Sequence, residues 1–221
     1  MALIVGNTDD LLDDPKIREP WPDFFVEWTK PRDPRIVAEL ETILNEAKDE
    51  RPLQEFYSKH PYMLALAFGP HCCWVFPHPR LGGGRYIPDF LYCDLNSLGY
   101  QWTLIELESP TMEATNKDES VSKDCHHAIQ QILDYRRWLR DSALFEEKQG
   151  LKGLNADCHA WVVIGRRDDR TELEQQRLAE FKKQKIEIAS YDRLLWLGKD
   201  HLLYRNRAVE EAARAAKMLN R

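Results

Sequence analysis

Carboxylate residues inside two short apolar runs constrain this chain more than any other feature of its sequence. Asp89 lies within the run Tyr86–Phe90, and Glu106 and Glu108 lie within the run Leu104–Pro110. Both runs are rich in aromatic and β-branched residues, a composition that predicts β-strands. Burying an unpaired carboxylate is costly, so such a residue usually has a cation, a hydrogen-bond donor or a metal ion beside it. The fold must therefore place a cation, a hydrogen-bond donor or a metal ion beside each of these acids.

The spacing of the three acids predicts that they share one site. Side chains alternate across a strand, so Glu106 and Glu108 point to the same face, with Cα atoms roughly 6.5–7 Å apart. If the two strands pair as a hairpin, Asp89 can lie across from them. Carboxylate oxygens are the ligands that Mg²⁺ prefers, and a metal-activated water is the usual route to phosphodiester hydrolysis. Two plainer interpretations stay open: an Asp after proline also starts turns, and a strand Glu can be exposed or salt-bridged.

The composition favours one domain with additions and leads us to expect a cytoplasmic protein. The 221 residues are 43% hydrophobic and 10% aromatic, which is enough for a sizeable core. No apolar run is long enough to span a bilayer, and no signal peptide is evident, so we expect no membrane partner. The five cysteines form no C-x-x-C pair, which argues against structural zinc and fits reduced thiols in the cytoplasm.

The periodicity of the chain predicts helices and strands in an α/β order. We expect an irregular arm rich in proline and aromatic residues over 1–33, a main domain over 34–197, and a C-terminal helical segment over 198–221. The predicted helices cover 34–47, 52–67, 120–140, 171–184 and 206–219, and the predicted strands cover 72–81, 86–93, 100–108, 158–164 and 186–191. Residues 82–84, three consecutive glycines, are interpreted as a hairpin turn, because no G-K-[ST] follows as in a phosphate loop.

One face of the predicted helix over 120–140 carries polar side chains at helical spacing. These are Asp124, His127, Gln131 and Tyr135, and they border the apolar stripe of the same helix. They are predicted to line the rim of the site formed by the strand acids. The alternative is a helix shoulder that only makes hydrogen bonds.

The ordered set of elements resembles the core of the PD-(D/E)xK nucleases, a restriction-endonuclease-like α/β fold with a mixed sheet flanked by helices. More closely, the chain is similar to the nuclease domain of the Shedu anti-phage defence family. The resemblance covers about Leu40 to Leu195, and each motif is short, so its specificity comes from their order. In chain order the motifs are KHPYMLALAF, YIPDF, LIELESP, AIQQILDYRRWL, AWVVIGR and IEIASYDRLL.

The resemblance implies a metal-dependent DNA endonuclease of bacterial defence that uses Mg²⁺ or Mn²⁺. Asp89 matches the motif Asp, and Glu106 matches the acid of the third strand. Glu55 resembles an extra acid often found on the preceding helix, and Gln131 resembles the helix Gln that accompanies the motif. Glu108 departs from the pattern, because the family has Lys there to help position the attacking water.

The departure at Glu108 leaves alternatives open. Some restriction endonucleases of similar fold have Glu at this place, so Glu108 could bind metal, or a lysine elsewhere, Lys117 or Lys123, could complete the site. The chain could instead be a nuclease-like fold that has lost its chemistry and acts in DNA binding or assembly, or a pure interaction protein dominated by its aromatic arm. Cleavage of both strands usually needs two sites, so we expect a homo-oligomer, and a separate sensing partner also fits.

A DNA substrate requires a basic surface near the acids. The net charge of −6 does not indicate nucleic-acid binding. It does not exclude it either, because binding depends on local positive charge. Arg80, Arg85 and Arg137 are the first candidates for contacts to the phosphate backbone, which supply most non-specific affinity. The alternative for each arginine is an ordinary solvated surface.

Overall fold

A mixed five-stranded sheet lies between two layers of helices in the computed structural model, which describes residues 19–28, 33–69, 72–166 and 170–201. The strands are β1 (Cys73–Pro77), β2 (Phe90–Asn96), β3 (Gly99–Leu107), β4 (His159–Val163) and β5 (Ile186–Ala189). The helices are α1 (Arg35–Glu46), α2 (Arg51–Lys59), α3 (Pro61–Ala65), α4 (Lys123–Lys148), α5 (Glu172–Ala179) and α6 (191–201). This architecture confirms the predicted α/β class and is compatible with a restriction-endonuclease-like fold.

The strands follow one another in sequence order across the sheet, and the sheet changes from antiparallel to parallel at β3. β1, β2 and β3 are antiparallel, whereas β3, β4 and β5 are parallel, with α4 and α5 as the crossovers. Phe90 pairs with Ile105, and Glu106 lies beside Val162. The start of β2 and the carboxyl ends of β3 and β4 therefore meet at one edge of the sheet.

Alternation along the strands divides the core between the two sheet faces. Ile105 and Trp161 lie on the face covered by α1, α2, α3 and α6. Leu104 and Val162 lie on the face covered by α4 and α5. Fully burying a side chain of this size contributes roughly 1.5–3 kcal/mol, so both faces need their helices. None of the helices in the described parts of the chain has an apolar stretch long enough to cross a bilayer.

Proline and glycine residues set several element ends that the sequence analysis placed wrongly. The predicted helix over 52–67 is divided at His60, because Pro61 cannot donate a backbone hydrogen bond and starts α3. β2 begins at Phe90 and not at 86, because Pro88 lacks the N–H that a paired strand needs. The predicted helix over 120–140 continues to Lys148 and ends before Gly150, which has a positive φ of 98°.

The remaining strand and helix ends differ by smaller amounts. β1 stops at Pro77, and the helix predicted over 171–184 tightens into a 3₁₀ turn after Ala179. The three glycines form a short 3₁₀ turn inside the β1–β2 connection, which is closed by an antiparallel bridge between Leu81 and Tyr86. The helix predicted over 206–219 lies outside the described residues.

The described part of the N-terminal arm, 19–28, packs against the sheet at β1. The ring of Trp21 lies edge-on to those of Trp74, Phe76 and Trp102, with centroids 5.3–5.5 Å apart. Its Nε1 donates a hydrogen bond to a backbone carbonyl at 3.0 Å, and the backbone amide of Val26 donates to Cys73 at 2.9 Å. The arm thereby covers the edge of the first strand. The rest of the predicted arm, 1–18 and 29–32, lies outside the described residues.

Candidate active site

Asp89 lies at the end of the β1–β2 connection and is held through both its backbone and its carboxyl group. Its carbonyl accepts a hydrogen bond from the amide of His78 at 2.8 Å. Its Oδ1 accepts from Nε2 of Gln54 at 2.7 Å, and its Oδ2 accepts from the amide of Leu107 at 2.8 Å. Burial nevertheless raises the pKa of Asp89 to about 6, with a further contribution from the charge of Glu50. The side chain is thus fixed and easily protonated.

Glu106 is buried in the middle of the candidate site, with 4% of its surface exposed. Burial raises the pKa of Glu106 well above its ordinary value, and the charge of Asp89 adds to the rise. The hydroxyl of Tyr135 and the backbone amide of Asp89 oppose the shift by donating hydrogen bonds. Within the described residues, Oε1 of Glu106 has no hydrogen-bond partner. A buried acceptor without a donor is costly, and it marks this atom as a place where a cation would stabilise the fold.

Glu108 continues the strand alternation beyond the end of β3. Its amide donates to the carbonyl of Val163 at 2.8 Å, so the ladder with β4 extends to this residue and its side chain shares a face with Glu106. Burial raises the pKa of Glu108 to about 7, and the charges of Glu50, Asp89 and Asp124 contribute. Glu108 is therefore part of the same carboxyl cluster.

The helix that precedes the sheet contributes an acid other than the predicted one. Glu55 is exposed on α2, and its charge acts on Arg51. Glu50, at the N-terminal end of α2, is the acid whose charge reaches both Asp89 and Glu108. A signal for Glu50 was present in the sequence, because acidic residues favour the N-terminal ends of helices, where the helix dipole stabilises them.

The polar stripe of α4 runs past the acids. Asp124 in the first turn reaches Glu108 electrostatically, and Tyr135 in the middle donates to Glu106. Gln131 lies half-exposed between them, seven residues after Asp124 and four before Tyr135, and therefore on the same side of the helix. His127, Lys117 and Lys123 are exposed. Tyr135 was predicted to line the rim of the site with the rest of this stripe, and its hydrogen bond to the buried Glu106 brings it into contact with the acids.

The predicted DNA-binding arginines are all exposed, and Arg85 is connected to the acids through aromatic side chains. The guanidinium carbon of Arg85 lies 5.3 Å from the ring centroid of Tyr86. The ring of Tyr86 contacts that of Tyr135, with centroids 5.8 Å apart. Arg80 flanks the glycine turn, whereas Arg137 makes an ion pair with Asp134 at 2.9 Å. Arg85 is thus the arginine best connected to the carboxyl cluster.

The chemistry of the cluster fits a hard divalent cation. Asp89, Glu106 and Glu108 offer oxygen donors, and a cation would relieve the repulsion that raises their pKa values. In the described ranges no three His, Cys, Asp or Glu side chains are placed together so as to hold a metal ion, and both carboxyl oxygens of Asp89 already accept hydrogen bonds. The donors therefore suit Mg²⁺ held by one or two carboxylates and several waters, which is its common mode in proteins.

Comparison with known proteins gives one family match. Residues 47–195 match the family model described as Shedu protein SduA, C-terminal. The matched range is most of the chain and contains all five strands and the cluster of Asp89, Glu106 and Glu108. A search of curated proteins gives no match.

Proposed function

The chain belongs to the Shedu SduA C-terminal family, and on this premise we propose that it is a metal-dependent DNA endonuclease. Membership of the family suggests a role in anti-phage defence. The observation that carries the proposed activity is the cluster of Asp89, Glu106 and Glu108 at one sheet edge, where burial raises all three pKa values and the charges of neighbouring carboxylates, Glu50 among them, add to the rise. Acids with such shifts at the end of a strand ladder are typical of functional sites.

Each acid has a role that follows from its surroundings. Asp89 and Glu106 would hold Mg²⁺ or Mn²⁺, since one is fixed by two hydrogen bonds and the other has a free buried oxygen. Such an ion, when bound, polarises a phosphoryl oxygen and lowers the pKa of a bound water. Glu108, with a pKa of about 7 and partial exposure, is suited to accept a proton from an attacking water near neutral pH. Tyr135 orients Glu106, and Gln131 is placed to contact the substrate at the rim.

A second candidate function rests on Glu108 itself. Where Glu replaces the family Lys, the site loses a positive charge that would stabilise a phosphate, and it gains a negative one. A nuclease fold with this change could retain DNA binding or assembly without cleavage. Lys117 and Lys123 are exposed, and either would restore the missing charge if it reached the acids.

A cleavage assay separates the two functions. Supercoiled and linear DNA are incubated with Mg²⁺, with Mn²⁺ or with EDTA, for the wild type, Asp89→Ala and Asp141→Ala, an exposed Asp on α4 that serves as a matched control. We expect metal-dependent cleavage by the wild type and the control, and none by Asp89→Ala. Salt-sensitive binding without cleavage in any metal would instead identify the binding module.

Variants at the position of the family Lys test how the site is completed. Glu108→Lys introduces the residue of the family pattern, which would position the attacking water in place of Glu108, so it should keep or raise cleavage and weaken stabilisation by metal. Lys117→Ala and Lys123→Ala should leave cleavage intact. Loss of cleavage in either lysine variant would assign the missing charge to that lysine and overturn the role given to Glu108.

Cleavage of both strands would require two copies of the site. We therefore propose that the chain acts on DNA as a homo-oligomer, in line with the usual need of such nucleases for two sites. Light scattering at several protein concentrations, combined with counting nicks and double-strand breaks, tests this. A monomer that produces only nicks would contradict it. A separate sensing partner would be seen as a factor that raises cleavage when added.

A further inference from the structure

Glu146 is a fully buried carboxylate far from the acids of the candidate site. It lies near the end of α4 with 0% of its surface exposed. Its Oε1 accepts two hydrogen bonds, from the amide of Gly82 at 2.7 Å and from Nε1 of Trp138 at 3.0 Å. Its Oε2 has no partner among the described residues. Burying a carboxylate in this way is costly. Ending a helix does not require a buried glutamate, so its position near the end of α4 does not account for Glu146.

The contact that Glu146 makes is with a backbone that only glycine adopts easily. Gly82 has φ +60°, and a Cβ atom there would lie 3.2 Å from a ring carbon of Trp138. Gly83 and Gly84 also have positive φ values. Three glycines in succession make a flexible turn. The amide of Gly82 binds Oε1 of Glu146 and so holds the first glycine against α4, while Trp138 of the same helix orients the carboxylate. Glu146 therefore supplies the rigidity that the glycines lack.

The anchored turn carries two side chains that connect to the carboxyl cluster through Tyr135, namely Tyr86 and Arg85. Reciprocal backbone hydrogen bonds of 2.8 and 3.1 Å join Leu81 and Tyr86 across the turn. Tyr86 packs against Trp138 and Tyr135, and Arg85 lies over its ring. The turn thus sets the position of an exposed arginine relative to the tyrosine that donates to the buried acid.

Asp89, at the other end of the same loop, does not depend on this anchor. Its carbonyl accepts from the amide of His78, and its carboxyl oxygens accept from Gln54 and Leu107. The base of the loop is therefore held by the sheet and α2, whereas the carboxylate of Glu146 holds the first glycine of the turn against α4. A change at this turn should alter how Arg85 is presented without moving the metal-binding acids.

We propose that Glu146 is a positioning residue that fixes the Gly82–Tyr86 turn so that Arg85 meets the phosphate backbone of DNA beside the carboxyl cluster. The proposal rests on the proposed nuclease function, since it assigns Glu146 a role in binding the DNA substrate. It predicts a specific division of effects: loss of the anchor should weaken DNA binding and leave the chemical step and the metal site intact.

The test compares Glu146→Ala and Glu146→Gln with Glu147→Gln, a substitution of the exposed neighbouring glutamate. Hydrogen exchange, which needs no DNA, should show the amides of Leu81 and Tyr86 exchanging about tenfold faster in Glu146→Ala only. In the cleavage assay, Glu146→Ala should raise KM for DNA about five- to tenfold with kcat unchanged, the signature of lost binding. Glu146→Gln keeps an acceptor oxygen for both donors and should behave like the wild type, as should Glu147→Gln.

A second series measures the arginine itself. If the turn places Arg85 on a phosphate, Glu146→Ala and Arg85→Ala should each reduce the slope of log affinity against log salt concentration by about one. The stabilisation of the fold by added Mg²⁺ should stay at the wild-type value in both variants. A changed kcat, or a changed response to Mg²⁺, would show that Glu146 acts on the acids and would overturn the proposal.

The remaining outcomes also decide the matter. Unchanged exchange at Leu81 and Tyr86 would overturn the anchoring role, and faster exchange with unchanged KM would reduce Glu146 to a fold-stabilising contact. If Glu146→Ala does not fold, Gly82→Ala tests the same contact from the opposite side, with the same expected rise in KM. A wild type that neither binds nor cuts DNA would refute the proposed function, while hydrogen exchange would still decide whether Glu146 holds the turn.

Discussion

Replacing Glu108 by Gln should make the protein more stable at neutral and alkaline pH. Burial, aided by the charges of Glu50, Asp89 and Asp124, raises the pKa of Glu108 from 4.5 to about 7. Each pKa unit corresponds to about 1.4 kcal/mol, and solvent screening of this partly exposed side chain reduces the effect, so the ionised form lowers the free energy of unfolding by about 1–2 kcal/mol. Glutamine has nearly the same shape and cannot ionise, so Glu108→Gln should recover this stability.

The pH window of the effect follows from the direction of the shift. Because the pKa of Glu108 is higher in the folded protein than in the unfolded chain, the folded protein holds a proton that the unfolded chain has released between about pH 4.5 and 7. The penalty is absent below this window, grows through it and is complete above it. The wild type should therefore lose stability relative to Glu108→Gln as the pH rises.

Urea denaturation in EDTA at about pH 4, 6 and 8 measures the difference. The two proteins should unfold alike at the lowest pH and differ by about 1–2 kcal/mol at the highest, which corresponds to roughly 2–8 °C in Tm for a chain of this size. Glu113→Gln, at an exposed glutamate after β3, should change nothing. Added Mg²⁺ should narrow the gap, since a ligand of the folded wild type stabilises it. A difference that is the same at all three pH values would refute the reasoning.

Three further substitutions test contacts that stabilise the fold or set the pKa of Asp89. Arg136 is a buried arginine whose guanidinium donates to three backbone carbonyls just before β4 and β5. Arg136→Leu should therefore lower the free energy of unfolding, measured in urea, by about 3 kcal/mol. The control Arg137→Leu, at the exposed neighbouring residue, should change the free energy of unfolding by less than about 0.5 kcal/mol. Glu50→Gln should lower the pKa of Asp89 from about 6 towards its ordinary value, as read from the carboxyl resonance in NMR. Gly165→Ala, at φ +69° against the loop after β3, should destabilise the protein by about 2 kcal/mol or more in urea denaturation.

The parts of the site that depend on local geometry could be predicted from the sequence. Strand alternation has a period of two, so the shared face of Glu106 and Glu108 follows from their spacing alone. The pairing of β2 with β3 also follows, because a short turn joins two strands of matching pattern. Asp89 was expected opposite these acids, and its charge does act on Glu106.

The parts that depend on helix rotation and tertiary contacts could not be predicted. The sequence analysis chose Glu55 on the correct helix, but Glu50 and Glu55 are five residues apart and therefore differ by about 140° around a helix axis. Only the packing of α2 on the sheet decides which of them faces Asp89. The anchoring by Glu146 was missed because the apolar stripe weakens after Arg140, whereas the helix continues until Gly150 stops it.

Because of its length, α4 contacts several separate parts of the candidate site. Its first turn faces Glu108, its middle reaches Glu106 through Tyr135, and its last turns hold Gly82 through Glu146. A helix of 26 residues is about 39 Å long. A displacement of about 1.5 Å along its axis, the rise of one residue, would disturb the acid contacts and the glycine turn together. We therefore expect a shift of the whole helix, unlike loss of the Glu146 contact alone, to change DNA binding by Arg85 and the geometry of the acids together.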